Sequence, residues 1–197
     1  LARHGIALPE TRSGLLQRCV EELETSDDHR PALNAAPCHG FHRTYLAEIA
    51  AAMTRRGQTT LTGPEVQAAI AECSRQLRDT GHIPTPGPSS AIADCLIRHH
   101  VLVLSPSGDG SHAFVHQQFQ ERFAADWLLA HMRELAASHS APAILRFQQE
   151  VLNFPQWGEA LAFVVEDLSA ETELASDLVR WMMSIDLVAS AELAAVG

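Results

Sequence analysis

Histidine and cysteine side chains cluster in one short stretch of the sequence, Cys38-His39-Gly40-Phe41-His42. Imidazole nitrogens and thiolates are ligands that Zn²⁺ prefers, and a structural zinc site needs four of them. This stretch offers three, and no second cluster supplies the fourth. Cys19 and Cys73 stand singly within helical patterns, where we expect both to be small buried residues, and Cys95 is also single. The sequence therefore predicts no metal site, and a reduced, cytoplasmic setting.

A hydrolytic triad is the second chemistry that the residue types allow. Ser105, Asp109 and His112 lie around one Gly-containing turn. A nucleophilic serine needs a rigid elbow such as GxSxG, and the sequence contains none. It also contains no HExxH pair, no GxxxxGK[ST] phosphate loop, and no apolar strand that ends in paired acids for Mg²⁺. We therefore expect no catalytic residue and no cofactor in this segment itself.

Length, composition and charge exclude several classes of protein. The 197 residues are 46% hydrophobic and 19% charged, which is enough for one ordinary domain or two small ones with a sizeable core. All 14 basic residues are arginine, and the net charge of −10 argues against a nucleic-acid or anionic-membrane partner. No apolar run approaches the roughly 20 residues that span a bilayer. Because the chain starts at Leu1 and stops without a terminus signal, we expect it to be a segment of a longer protein.

Hydrophobic spacing divides the chain into three parts, of which residues 1–39 form the first. Thr11 is a candidate N-cap, and apolar residues follow it at helical spacing until Ser26. Pro31, Asn34 and Pro37 then predict a loop. This part is a helical lead-in.

Residues 40–137 predict a winged helix with a long trailing helix. The order is a helix over 43–56, a short β-rich stretch over 59–62, a helix that starts at Thr62-Gly63-Pro64-Glu65, and a third helix over 90–99. Two apolar strands around a Gly/Asp turn follow as a β-hairpin, over 101–104 and 111–116. A long amphipathic helix runs over 117–137. Three helices packed on a small sheet, with the hairpin as the wing, define the winged-helix fold.

Residues 138–197 are helical throughout in pattern. Three short helices are predicted, over 142–151, 157–168 and 172–188, with a break at Asn153-Phe154-Pro155. Short helices joined by turns are typical of the start of an α-solenoid. The predicted fold class is therefore mainly α, with a central winged helix flanked by helical segments.

Recognition of DNA is the usual role of a winged helix, but the charges are unsuitable. Residues 40–131 carry seven arginines against eight acids. The third helix offers Arg98 as its one fixed cation, near Asp94 and next to His99-His100, which we expect to be an exposed pair at the helix end. Phosphate contacts supply most non-specific affinity for DNA and need several cations. We therefore expect no nucleic-acid partner.

One sequence motif indicates a particular protein family more specifically than the fold does. Phe114-Val115-His116 ends the predicted hairpin, and Phe119-Gln120-Glu121-Arg122-Phe123-Ala124-Ala125 follows it. This resembles the Phe-x-His…Phe-Gln-Glu-x-Phe-Ala-Ala motif that closes the winged-helix domain of NACHT-type NTPases, members of the STAND class that includes the NOD-like receptors. Two further motifs support the resemblance, 7–16 (ALPETRSGLL) and 46–53 (LAEIAAAM). It covers roughly residues 1–135.

The resemblance implies a nucleotide-dependent switch. It implies that the parent binds ATP/ADP or GTP/GDP with Mg²⁺ in an NTPase core upstream of this segment, and that His116 contacts a phosphate of the bound diphosphate. Pro9 would contact the adenine ring or merely start a helix. A helical sensor domain and further copies of the chain would be the other partners, in signalling or antiphage defence.

Two other functions remain open at this point. One is a winged-helix transcription regulator with a helical effector or dimerisation domain. The other is a protein-interaction module that uses the winged helix as a docking surface.

Overall fold

Helices make up most of the molecule. The computed structural model describes residues 11–168 and 172–184, and all statements of structure refer to these. The helices are α1 (Arg12–Thr25), α2 (Arg30–Asn34), α3 (His42–Arg55), α4 (Gly63–Asp79), α5 (Ser89–His99), α6 (Gln117–Ser138), α7 (Ala141–Phe147), α8 (Gly158–Asp167) and α9 (Thr172–Met183). The strands are β1 (Thr60–Leu61), β2 (Leu102–Leu104) and β3 (His112–Phe114). The predicted fold class, mainly α with a small β wing, is confirmed.

The winged helix consists of α3, α4, α5 and one antiparallel sheet with strand order β1-β3-β2. The short strand β1 pairs Thr60 with Ala113, and the hairpin pairs Leu102 with Phe114. The strand β1, which lies between α3 and α4 in the sequence, thus pairs with the hairpin and completes the sheet. The predicted helix and strand positions agree with the structure to within one or two residues at most ends.

Local capping explains where two of these helices begin. The Oγ1 of Thr11 accepts a hydrogen bond from the backbone N–H of Gly14 at 3.0 Å, as expected for an N-cap residue. At the start of α4, the backbone N–H of Thr62 donates to the Oε2 of Glu65 at 2.9 Å. This is the reciprocal half of the capping box that the spacing predicts.

The long helix α6 supplies the centre of the core. It packs against α3 along its length and against α8 on another side. Its buried positions are Gln120, Arg122, Phe123, Ala124, Ala125, Leu128, Met132 and Leu135. Two consecutive alanines, Ala124 and Ala125, let the backbone of a neighbouring helix approach closely because they add little volume.

The C-terminal helices pack on α6 and on one another. After α7 the chain continues through one π-helical turn, Gln148–Leu152, and a 3₁₀ turn, Pro155–Trp157. Trp157 is fully buried and stacks on Trp127 of α6 with 5.6 Å between ring centroids. The predicted break around residues 153–155 is confirmed, whereas the predicted end of the last helix at Val188 lies outside the described residues. The α-solenoid stays a prediction. Among the described helices, none has the length and apolarity needed to cross a bilayer.

Three sequence-based expectations are wrong. The predicted loop after residue 26 contains the short helix α2, because Pro31 sits in its first turn and Leu33 is fully buried. Cys19 is exposed, because the buried stripe of α1 passes through Ser13, Leu16 and Val20 instead. His100 is buried rather than exposed, because the chain leaves α5 there with an extended backbone that turns the ring inward.

The burial of Phe123 gives a stability prediction. Its ring is 1% exposed and lies beside Phe114 with 5.8 Å between centroids. Phe123→Ala should lower the free energy of unfolding by about 3–5 kcal/mol, because it removes buried apolar area and leaves a cavity. Phe154→Ala is the control, since Phe154 is 45% exposed, and it should cost less than about 1 kcal/mol. Urea unfolding measures both, and equal losses would contradict the packing described here.

Candidate functional site

His116 occupies the junction between the wing and the long helix. It follows β3 and is the N-cap residue of α6, with an extended backbone. Its side chain is exposed and makes no capping bond to its own helix. No acidic residue lies in the first turn of α6. The imidazole is therefore free to meet a ligand at the positive end of a 22-residue helix. The other residue singled out from the sequence, Pro9, lies outside the described residues.

The residues that follow His116 hold the winged helix together. The side-chain amide of Gln120 donates to the backbone carbonyl of Gln58 at 3.0 Å, so it ties α6 to the turn before β1. Phe123 packs against Phe114 of β3 and edge-on against His100, with 5.6 Å between the last two rings. Packing thus explains Gln120 and Phe123 of the motif, whereas Val115 and His116 are exposed.

A buried arginine in the same motif connects three helices. Arg122 on α6 donates to Asp126 at 2.7 Å, to Asp167 of α8 at 2.5 Å and to the hydroxyl of Ser13 on α1 at 3.2 Å. Ser13 in turn donates through its hydroxyl to Asp167 at 2.6 Å and through its backbone N–H to Glu166 at 3.0 Å. Burial raises the pKa of Asp126, against the lowering effect of Arg122. We call these five residues the Arg122 network; it joins the lead-in, the long helix and the C-terminal helices.

A second polar cluster lies at the other end of α1. The carboxylate of Glu24 meets three donors: the Oε1 atom lies 2.9 Å from the Nε2 of His100 and 3.2 Å from the Nε2 of His42. Arg43 donates from Nε to both carboxylate oxygens at 2.8 Å and from Nη2 to Oε2 at 2.6 Å. We call these four residues the Glu24 cluster. It ties α1 to the first helix of the winged helix and to the end of its third.

The electrostatics of the Glu24 cluster follow from this geometry. Burial alone would raise the pKa of the Glu24 carboxyl, but the hydrogen bonds from His100, His42 and Arg43 outweigh it and hold that pKa well below its usual range. Burial lowers the pKa of His100 by more than the attraction of Glu24 raises it. The cluster therefore holds an ionised carboxylate, a charged arginine and a neutral His100 at neutral pH.

Two histidines and a carboxylate resemble the donor set of a zinc site, and their ligand atoms lie within 4.8 Å of one another. The hydrogen bonds oppose this use. The backbone N–H of Val101 donates to the Nδ1 of His100 at 2.9 Å, so Nδ1 carries a lone pair and the proton is on Nε2, facing Glu24. A metal ion at this place would have to displace the proton from Nε2 to bind its lone pair, and it would lie beside the guanidinium of Arg43. The hydrogen bonds of the cluster therefore suit a protonated Nε2 on His100 better than a bound metal ion.

A groove of about 850 Å³ runs beside α3 between α4 and α6. Arg55 lies over the ring of Trp127 at 4.4 Å and faces Glu48 at 3.6 Å. The indole N–H of Trp127 donates to Glu48 at 2.9 Å, while His131 lies 3.7 Å from Glu134. Both arginines and carboxylates line the groove, so its charges favour a ligand of neither sign.

Ser105, Asp109 and His112, which the sequence brings around one turn, have other partners or surroundings in the described structure. Asp109 accepts hydrogen bonds from Ser107 and Ser111, and it shapes the wing turn instead of orienting a catalytic histidine. Ser105 bonds Ser107 at 3.0 Å, and His112 is buried towards the core. No hydrolytic triad forms around this turn.

No family model matches this chain, and neither a curated protein nor a solved structure was found to be similar to it. Sequence patterns singled out His116 as a candidate but drew no attention to Glu24, Arg43 and Arg122. Charged residues on helices usually face solvent, and no spacing rule marks the pairs that the tertiary fold buries.

Glu24 gives a test of the cluster. Glu24→Gln should lower the free energy of unfolding by about 2–3 kcal/mol at neutral pH, because charge-assisted hydrogen bonds are lost. Since folding depresses the pKa of Glu24 below its ordinary 4.5, the stabilisation is complete above that pH and is lost as the pH falls below it. The difference between wild type and variant should therefore shrink in acid, as measured by urea unfolding at several pH values.

Glu72→Gln is the matched control. Glu72 pairs with Arg75 on the exposed face of α4, where such an ion pair contributes about 0–0.5 kcal/mol. A loss for Glu24→Gln no larger than this control would show that the Glu24 cluster contributes little to stability.

Proposed function

We propose that this segment is the regulatory, non-catalytic part of a nucleotide-switched NTPase of the NACHT/STAND kind. It would couple the state of a bound nucleotide to a sensor domain and to oligomerisation. The observation that supports this best is the exposed imidazole of His116 at the N-terminus of α6, within a winged helix that carries the matching sequence motif.

Phosphate chemistry suits the position of His116. The first backbone N–H groups of a helix lack partners within the helix, and the helix dipole favours an anion there. An imidazole beside them adds a hydrogen-bond donor for a phosphate oxygen. In the proposed resting state the β-phosphate of ADP or GDP would lie at this end of α6. Its loss would free the winged helix to rotate away from the core.

The Arg122 network gives such a movement a way to reach the rest of the chain. α6 begins at the proposed phosphate contact, and Arg122 one turn later bonds to Asp126 on the same helix and Asp167 on α8. A rotation of α6 would therefore carry α8 with it, or break a buried charge pair. This supports a role for the segment between an NTPase core and a sensor.

The proposal requires partners in the same protein. The NTPase core, with ATP/ADP or GTP/GDP and Mg²⁺, would precede this segment, and Pro9 would lie near the nucleotide base. A helical sensor would follow, and activated copies would form a homo-oligomer in the cytoplasm. Signalling or antiphage defence is the setting that the resemblance suggests.

A transcription regulator is the alternative. Its recognition helix would be α5, where Ser90, Asp94 and Arg98 are the outward-facing polar residues. The short helix α2 packs against the same helix, with Cys95 of α5 lying 3.8 Å from the carbonyl of Ala32. One arginine beside an aspartate is a weak phosphate-binding surface. These charges favour the nucleotide switch.

The test uses the full product of the gene, purified without added nucleotide. Denaturing the protein and quantifying the released small molecules should give about one ADP or GDP per chain. His116→Ala should reduce the retained nucleotide. Loss of one charge-assisted hydrogen bond, which contributes about 1.5–3 kcal/mol, should weaken nucleotide binding about tenfold or more.

His139→Asn is the matched control, because His139 caps the opposite end of α6 with a left-handed backbone that asparagine also adopts. It should retain nucleotide like the wild type. Equal nucleotide in His116→Ala would remove His116 from the site. A protein without nucleotide that binds DNA, and loses that binding on Arg98→Ala, would favour the transcription regulator.

A further inference from the structure

Histidines line the junction between the lead-in and the winged helix. His100, at the end of α5, and His42, at the start of α3, face each other with 5.6 Å between ring centroids, and both meet Glu24 of α1. A second contact joins α2 to α5, where the Nδ1 atoms of His29 and His99 lie 3.3 Å apart. One of these two nitrogens must donate and the other must accept. Imidazole rings are therefore one part of the contact between the lead-in and the winged helix.

His100 has no room for a second proton. Its Nε2–H already faces Glu24, and its Nδ1 already accepts from the N–H of Val101. A proton on Nδ1 would point at the proton of Val101 and break that hydrogen bond. The side chain of His100 is fully buried, so no water could replace the lost partner.

The surrounding charges do not compensate for such a proton. Those around the junction are Glu21 and Glu24 on α1, His42 and Arg43 on α3, and Asp126 on α6. Arg43 already takes both oxygens of Glu24, so a charged His100 would share one carboxylate with a guanidinium. The Nδ1 of His42 is buried without a hydrogen-bond partner among the described residues, so it takes no part in the bonds that hold His100.

We propose that this junction is a proton-operated latch: it stays closed only while His100 is neutral, and protonation of His100 releases the C-terminal end of α1 together with α2. The opposite end of α1 stays attached through the Arg122 network. Release would uncover the side of α5 that α2 covers. The latch does not depend on the proposed nucleotide switch.

The size of the effect follows from proton linkage. A released histidine binds its proton near pH 6.5, while the closed junction resists it because burial lowers the pKa of His100. Stabilisation of the closed state is therefore complete above that pH and is lost as the pH falls below it. Between about pH 7.5 and about pH 5.5, the equilibrium constant for opening should rise about tenfold.

Hydrogen–deuterium exchange on this chain tests the latch. After correction for the intrinsic pH dependence, amides of residues 20–34 should exchange about tenfold faster at about pH 5.5 than at about pH 7.5. Amides of 12–18, held by the Arg122 network, serve as an internal reference and should change much less. An equal change in both segments, or none in 20–34, would overturn the proposal.

Two substitutions replace His100 by a residue that cannot take up a proton. His100→Gln keeps a donor toward Glu24, and His100→Asn keeps an acceptor toward Val101, and neither titrates. In whichever variant folds, exchange of residues 20–34 should differ less than about twofold between the two pH values. His131→Gln is the matched control: burial also lowers the pKa of His131, but its ring stacks on Trp127 away from the junction. This control should keep the wild-type response.

The outcomes separate cleanly. A tenfold response that persists in a folded His100 variant, or that disappears in His131→Gln, would assign the proton to another group and overturn the latch. If neither His100 variant folds, the wild-type comparison of 20–34 with 12–18 decides.

Discussion

A single carboxylate fixes how the lead-in sits on the winged helix. Glu24 comes from α1, and its three donors come from α3 and from the end of α5. Half-buried at the meeting point of these elements, the ionised carboxylate is stabilised because both of its oxygens are hydrogen-bonded. This hydrogen bonding sets the tautomer of His100, disfavours a metal ion at the same place, and makes the junction sensitive to protons.

The long helix α6 combines two tasks in adjacent residues. Gln120, Arg122 and Phe123 point inward and bind the turn before β1, the C-terminal helices and the core of the wing. His116, one turn earlier, points outward at the helix start. A helix with an exposed histidine at its start and a buried face that contacts other helices suits the proposed nucleotide switch. The same packing would also serve a winged helix with no nucleotide, which is why His116 is the residue to test.

Sequence patterns predicted the elements well because their signals are local. The Thr62–Glu65 capping box and the Gly-containing turn of the wing each depend on neighbours a few residues away, and both form as expected. The errors have a tertiary origin. His100 looks like a polar helix end until the chain turns its ring towards Glu24, 76 residues away. Cys19 looks apolar, yet the face of α1 that packs is set by the helices it meets. The phosphate contact of His116 stays a prediction, whereas the Glu24 cluster and the Arg122 network could not be predicted from spacing.

The nitrogen-15 chemical shifts of the His100 ring test the central claim most directly. Nuclear magnetic resonance distinguishes a protonated ring nitrogen from an unprotonated one. We predict a neutral ring at neutral pH with its proton on Nε2 and a bare Nδ1, because Val101 donates to Nδ1 and Glu24 accepts from Nε2. A proton on Nδ1, or a doubly protonated ring at neutral pH, would contradict the hydrogen bonding on which the latch depends.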